Sequence, residues 1–158
     1  MKRALPLVSV VLLACCGYST RSLLPPHLRT FALLPVENAT LQPGLGDQFE
    51  GVLNRAFTND RSLRAATADD ADLVLTTKVT SYSRTASVYD QNQNVQAYEL
   101  SIAAQVDAHD QVRDESFFSE VVAQRVSYDP SAEAEDAAAA RCLDLLAKEV
   151  VRRVITKW

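Results

Sequence analysis

The stretch YELSIAAQVDAH, residues 98–109, alternates without a break. Tyr98, Leu100, Ile102, Ala104, Val106 and Ala108 fall on one side, and Glu99, Ser101, Ala103, Gln105, Asp107 and His109 on the other. A period of two is that of an extended strand with one buried face. Upstream, the polar run QNQN at 91–94 reads as a turn, and before it a long strand begins at Leu73. In that strand Leu73, Leu75 and Val79 point one way, while Thr76, Lys78, Thr80, Tyr82 and Arg84 point the other. Downstream, Asp110 and the Arg113-Asp114-Glu115 segment make a second turn, and residues 117–128 make a third strand. Short polar connections between three long strands predict an antiparallel meander.

Two helical patterns flank the meander. Leu45, Phe49, Val52, Leu53, Ala56 and Phe57 recur on one stripe of a helix, with Asp47 and Glu50 in its first turns, where the helix dipole favours negative charge. After the meander, Ala139, Cys142, Leu143, Leu146, Val150, Val154 and Ile155 form the apolar stripe of a longer helix. Asp129 or Ser131 is a candidate cap for it. Glu133, Glu135 and Asp136 load its start with negative charge, and Arg152, Arg153 and Lys157 load its end with positive charge. Two amphipathic helices and a sheet with one apolar face imply an α+β fold, a two-layer sandwich.

The remaining pieces are short. FALL at 31–34 is continuously apolar, which fits a strand covered on both faces, and Pro35 ends its regular pairing. A brief strand is expected near residues 63–66. The acidic run Asp69, Asp70 and Asp72 reads as a solvated turn; a hard cation would need more oxygen ligands at a defined geometry.

The N-terminus carries a different signal. Met1-Lys2-Arg3 precedes an uncharged, mostly apolar segment that ends Leu12-Leu13-Ala14-Cys15-Cys16. That core is shorter than the roughly 20 residues a spanning helix needs, so residues 1–15 read as a secretory signal peptide. Its ending resembles the lipobox of bacterial lipoproteins, in which the cysteine after the cut carries acyl chains, palmitate among them. Leu12 and Ala14 favour cleavage before Cys15; the alternatives are Cys16, and a plain secretory signal whose cysteines pair or are buried. Several acyl chains on one residue suffice for stable anchoring. Residues 16–27, with Pro25-Pro26, then read as an extended leash, and residues 28–158 as the folded domain.

Removing Lys2 and Arg3 leaves 14 basic side chains against 20 acidic ones, a formal charge of −6 in place of −4. An acidic chain is unsuited to neutralising phosphates, so no nucleic-acid partner is expected. Cys142 reads as a small buried hydrophobe, and pairing of Cys16 with Cys142 is the alternative if Cys15 is lipidated. No catalytic constellation is visible. The two histidines, His27 in the leash and His109 at a strand end, have no motif around them, and four glycines are too few for a phosphate cradle. The chain therefore reads as no enzyme, with no cofactor and no metal site.

Taken in order, Cys16-Gly17-Tyr18, the proline-bearing leash, TFALLPVENAT (30–40), PGLGDQF (43–49), DADLVLTTKV (70–79), the hairpin YDQNQNVQAYEL (89–100) and a long helix after YDP (128–130) resemble the LptE family of lipopolysaccharide-assembly lipoproteins. The hairpin departs from it, with Asn92 and Asn94 where the family often has glycine. The resemblance implies two helices packed on a mainly antiparallel four-stranded sheet. It also implies a protein anchored in the outer membrane by lipid, facing the periplasm and the lumen of its partner, an LptD-type β-barrel that it plugs and helps assemble. Support of lipopolysaccharide delivery to the outer leaflet, and direct binding of lipopolysaccharide, are part of the same implication. Thr76, Lys78, Thr80, Tyr82 and Arg84 are the residues expected to meet lipopolysaccharide or the barrel wall; an ordinary solvated strand face is the alternative. TFALLPVENAT also resembles envelope lipoproteins of the curli secretion-pore type, which would make the chain a subunit of another secretion or transport complex. A lipid-anchored hydrolase using His109 is a third class.

Overall fold

The computed structural model describes residues 24–157. The elements run β1 (Thr30–Leu33), β2 (Glu37–Asn38), α1 (Leu45–Asp60), β3 (Arg64–Ala65), β4 (Leu73–Tyr89), β5 (Val95–Asp110), β6 (Glu115–Tyr128) and α2 (Glu135–Ile155). The meander is as expected: β4 pairs antiparallel with β5, and β5 with β6. Around it the sheet is larger and more mixed than the four mainly antiparallel strands the resemblance implied. Six strands are present, in the order β3-β1-β4-β5-β6, with β2 beside β4, and β1 and β2 run parallel to their neighbours. A parallel pair needs a crossover, and α1 supplies it between β1 and β3.

Pro35 explains why β1 and β2 are separate. Proline offers no N–H to the ladder. The Leu34 N–H bonds the Leu75 carbonyl at 2.9 Å, pairing lapses, and the Ala39 N–H regains the Val79 carbonyl at 3.0 Å. Glu50 of α1 accepts the freed Val36 N–H at 3.2 Å. Helix α1 comes so close here that a Cβ on Gly46 would lie 2.8 Å from the Val36 carbonyl oxygen.

Both helices lie on one face of the sheet and close a single core. Phe31, Phe49, Phe57, Phe118, Leu53, Leu75, Ile102, Leu143 and Leu146 are among its fully buried members. The Phe31 and Phe57 rings meet with centroids 5.0 Å apart. On the opposite face of the sheet, the loop before β4 covers Ala32 and Val74 with Ala66, Ala68 and Ala71. Strand β1 is thus enclosed from both sides, as its unbroken apolar run predicts.

Three local expectations change. Asp72 is not a solvated turn residue: it accepts the backbone N–H groups of Arg29 (2.9 Å) and Thr30 (3.0 Å) and the Thr30 hydroxyl (2.8 Å). Its own N–H returns to the Thr30 hydroxyl, so β1 and β4 are clasped at their starts. Burial would raise its pKa, but those bonds outweigh burial and leave it lowered. Asp129 and Ser131 do not cap α2: they hydrogen-bond each other in a preceding turn, and the helix begins at Glu135 without a side-chain cap. The end of the expected leash is also docked, since Leu24 and Leu28 are buried in the core cluster and His27 bonds Asp110.

Strand β6 ends at Tyr128, opposite Tyr98, so residues 86–97 of β4 and β5 continue beyond it as a two-stranded arm. The tip is ordered without glycine. Gln93 takes the left-handed conformation (φ 63°), and Asp90 accepts the N–H groups of Asn92 and Asn94, both at 2.8 Å.

Candidate functional site

The face of the sheet away from the helices is uncovered over most of its area. Cross-strand partners place Thr76 beside Asp107 and Ser119, Lys78 beside Gln105 and Val121, Ser83 beside Ser101 and Arg125, and Thr85 beside Glu99 and Ser127. Most of these side chains are short hydroxyls or charged groups, so the face is flat and wet. Val121 is a large apolar residue exposed on it.

The five strand-β4 residues expected on this face do not all share it. Val79 pairs with Ala104 and Ser81 with Ala103, which leaves Thr80 as an extra residue in a β-bulge. An inserted residue shifts the two-residue period, so the side chains from Ser81 to Ala86 change face. Thr76 and Lys78 point outward; Tyr82 and Arg84, paired with the buried Ile102 and Leu100, point to the helix side. The structure therefore splits the expected site into two groups.

In the outward group, Lys78 Nζ lies 3.2 Å from Glu37 Oε2 of β2, both exposed. The Thr80 hydroxyl donates to the Ala103 carbonyl at 3.2 Å. Thr80, Ser81 and Tyr82 also border a shallow depression of about 350 Å³ closed by residues 39–42, beside which Leu41 stands fully exposed.

In the inward group, Glu135 at the start of α2 is the hub. The Tyr82 hydroxyl donates to it at 2.7 Å, Arg84 ion-pairs with it, and the Tyr128 hydroxyl lies 3.5 Å away. Arg84 sits 4.7 Å above the Tyr98 ring, which stacks on Tyr128 at 5.8 Å. The Tyr82 bond, with Arg84, lowers the Glu135 pKa, while burial and then Glu135 raise that of Tyr82. The cluster occupies the root of the hairpin arm. Glu135, Tyr98 and Tyr128 lie outside the expected site; their partner Tyr82 is expected on the outer face and lies on the inner one, because a bulge leaves no mark on residue type.

Cys15 and Cys16, the expected lipidation residues, lie outside the described residues. Cys142 is a free thiol buried under the sheet, its pKa raised by burial. His109 lies on the outer face, 3.1 Å from Asp114, with no nucleophile bonded to it. Among the described residues no cluster of three or more His, Cys, Asp or Glu could hold a metal, and no helix is long and apolar enough to cross a membrane.

The model of the lipopolysaccharide-assembly family LptE matches residues 28–154, nearly the whole folded domain. The chain belongs to the LptE family. Membership carries a role in lipopolysaccharide assembly, in a family of non-enzymatic outer-membrane lipoproteins. No curated protein matches the chain by sequence. Among solved structures, a hypothetical protein of Chlamydia trachomatis is similar, with TM-score 0.56, 12% identity, and 82% of this chain and 95% of that one covered. The PelC dodecamer of Paraburkholderia phytofirmans has TM-score 0.56 and 14% identity, with 84% and 94% covered. A minor lipoprotein of Acinetobacter baumannii has TM-score 0.51 and 14% identity, with 84% and 95% covered. At such identities these likenesses show that this LptE-family chain shares its fold with these proteins, one of them a lipoprotein, and the fold alone.

Proposed function

We propose that this LptE-family chain is held at the outer membrane by acyl chains on Cys15 or Cys16, sits inside an LptD-type β-barrel as a plug, and supports delivery of lipopolysaccharide to the outer leaflet. The observation that carries this reading, beside the family match, is the bare polar sheet face. A soluble sandwich ordinarily leaves such a face to bulk water. Inside a barrel whose lumen is polar and water-filled, the same face meets the wall without burying unpaired charge. Thr76, Lys78 and Thr80 are the proposed contacts with barrel or lipopolysaccharide. Tyr82 and Arg84 act by fixing the arm through Glu135 rather than by touching the ligand.

Tagged mature protein recovered from detergent-solubilised outer membranes should bring one large barrel with it in a one-to-one complex. A homo-oligomeric ring would instead favour a secretion-channel subunit, and recovery of the chain alone would remove the plug reading. Lipopolysaccharide titration of Lys78→Ser addresses the contact residues separately: unchanged affinity would take Lys78 out of the site.

A further inference from the structure

The edges of the sheet are treated differently from one another. An edge strand offers unpaired N–H and C=O groups to any other chain, and proteins blunt it by shortness, charge or cover. Beyond β1 the edge is β3, only two residues long. Strand β6 is long, but α2 covers it: Arg141 donates to the Ser127 carbonyl at 3.0 Å, and Lys157 to the Phe117 carbonyl. Glu115, Glu120 and Arg125 add charge along it.

The third edge is the second half of β4. Strands β1 and β2 accompany β4 only as far as Val79, whose carbonyl accepts the Ala39 N–H. From Thr80 to Tyr89 it has β5 on one side and, among the described residues, no strand on the other. This run, TSYSRTASVY, holds no proline, no glycine and one charge, Arg84, which is already paired with Glu135. Leu75 and Val79 turn their carbonyls to the β1–β2 side, and the inserted Thr80 passes that orientation to Tyr82, Arg84 and Ala86. Between the Thr80 bulge and the irregularity after Ala86, residues 81–86 are a regular and open edge.

Apolar side chains stand exposed at both of its ends. Leu41 is fully exposed beside the depression that residues 39–42 form with Thr80, Ser81 and Tyr82, and Val88 and Tyr89 are at least half exposed toward the tip of the arm. The run is also complementary to itself. Antiparallel pairing about a two-fold axis at Thr85 sets Arg84 opposite Ala86 of the other copy, so the two arginines do not oppose each other and each keeps its own Glu135. Val88 and Tyr89 of one copy then come alongside Tyr82 and Ser81 of the other, which brings the exposed tyrosine to the depression beside Leu41. An axis at Arg84 would oppose like charges and push Tyr89 onto Val79, a place that β2 holds.

We infer that two copies of this chain, free of a barrel, pair edge to edge through residues 81–86 of β4. The two arms then form one four-stranded ribbon with a sandwich at each end, a closed two-fold dimer. This pairing does not depend on the plug reading.

The test uses the chain without its signal peptide, with Cys15→Ser and Cys16→Ser. Sedimentation equilibrium should show monomer passing to dimer as the concentration rises, since an interface this small is weak. Ala86→Pro removes an N–H from the open side and none from the β4–β5 ladder, and should abolish the dimer with the fold intact by circular dichroism. Leu41→Ser/Tyr89→Ser should weaken it about tenfold, and Val121→Ser should leave it unchanged. Thr85→Cys sets two thiols across the axis at a separation that a disulfide spans, so mild oxidation should give a covalent dimer. Ser83→Cys, about 13 Å from its mate in this register, should not cross-link. A parent that stays monomeric up to about 1 mM, a dimer that survives Ala86→Pro, or equal cross-linking of the two cysteine variants overturns the inference. So does a monomer whose Ala86→Pro variant no longer recovers the barrel, which would give this edge to a barrel strand. The purified chain contains neither barrel nor lipopolysaccharide, so the plug reading and the dimer stand or fall separately.

Discussion

His27 Nε2 lies 2.6 Å from Asp110 Oδ2, joining the segment before β1 to the end of β5. A carboxylate accepts only, so the ring nitrogen carries the proton. Asp110 is 1% exposed and also accepts the N–H groups of Val112 and Arg113. His27→Ala would leave this carboxylate buried with one fewer partner, a loss of about 1–3 kcal/mol. Urea denaturation should show that shift in midpoint, and amide exchange near Leu28 should accelerate; exchange equal to that of the parent would mean that Leu24 and Leu28 hold the segment without the latch.

Carboxylates of this kind set the acid limit of the fold. Burial works to raise the Asp110 pKa, but the His27 bond and the backbone N–H groups prevail, and it lies below its usual value. Glu149 is pulled from 4.5 to about 2 by hydrogen bonds from Arg152 and then Arg153. A group whose pKa is lower in the folded chain binds fewer protons there than in the unfolded chain, so its contribution is complete above the unfolded value and lost as the pH falls. Stability should be level above about pH 5 and decline toward pH 2. Solvent screening of the exposed arginines limits the Glu149 share to about 1 kcal/mol. Thermal midpoints across that range check the sign; a rise on acidification would contradict it.

Thr77 is fully buried on the core face of β4, and its hydroxyl has no hydrogen-bond partner among the described residues. Valine has nearly the same shape without the desolvated oxygen. Thr77→Val should stabilise by about 1 kcal/mol, whereas Thr77→Ala should destabilise by leaving a void. A Thr77→Val protein less stable than the parent would show that the hydroxyl is satisfied by bound water.

Gly46 illustrates the opposite constraint. The 2.8 Å between its absent Cβ and the Val36 carbonyl oxygen is closer than atoms tolerate, and the obstacle is backbone. Gly46→Ala should cost about 1–3 kcal/mol despite the better helix propensity of alanine. A neutral outcome by chemical denaturation would mean that α1 can lift from the β1–β2 connection at little cost.

How far the fold could be read follows from which physical signals are local. The alternation through residues 98–109 and the stripes of α1 and α2 report burial directly, and the residues expected in those stripes pack inward, Val52 and Ala56 only partly so. The parallel pairing of β1 and the existence of β2 depend on partners tens of residues away, and a two-residue strand has no period to detect. The bulge at Thr80 mattered most for the site. Nothing in the run VTSYSR (79–84) distinguishes a continuous pleat from an interrupted one, because threonine and serine serve on either face. Tyr82 and Arg84 were therefore legible as a pair, but their orientation toward Glu135 was not. His27 and Asp72 looked solvated for a similar reason: a polar side chain in a loop does not announce a buried partner.

Glu135 gives that reorientation a measurable consequence. It holds Tyr82 and Arg84 at the root of an arm that otherwise has only its own two-stranded ladder, and an isolated hairpin is at best marginally stable in water. Because Arg84 is nearly half exposed, its ion pair is largely screened by solvent, and the Tyr82 bond contributes about 1 kcal/mol. Glu135→Ala should therefore lower global stability by only about 1–2 kcal/mol. Its larger effect should be local, since Arg84 would then keep the Tyr98 ring and the Tyr128 hydroxyl as partners and the arm would lose its attachment to α2. Amide exchange should rise at residues 86–97 and stay near parental rates around Ile102 and Val122, deep in the sheet. Uniform acceleration across β4, β5 and β6 would mean that Glu135 supports the whole sandwich and that the arm has no separate fastening.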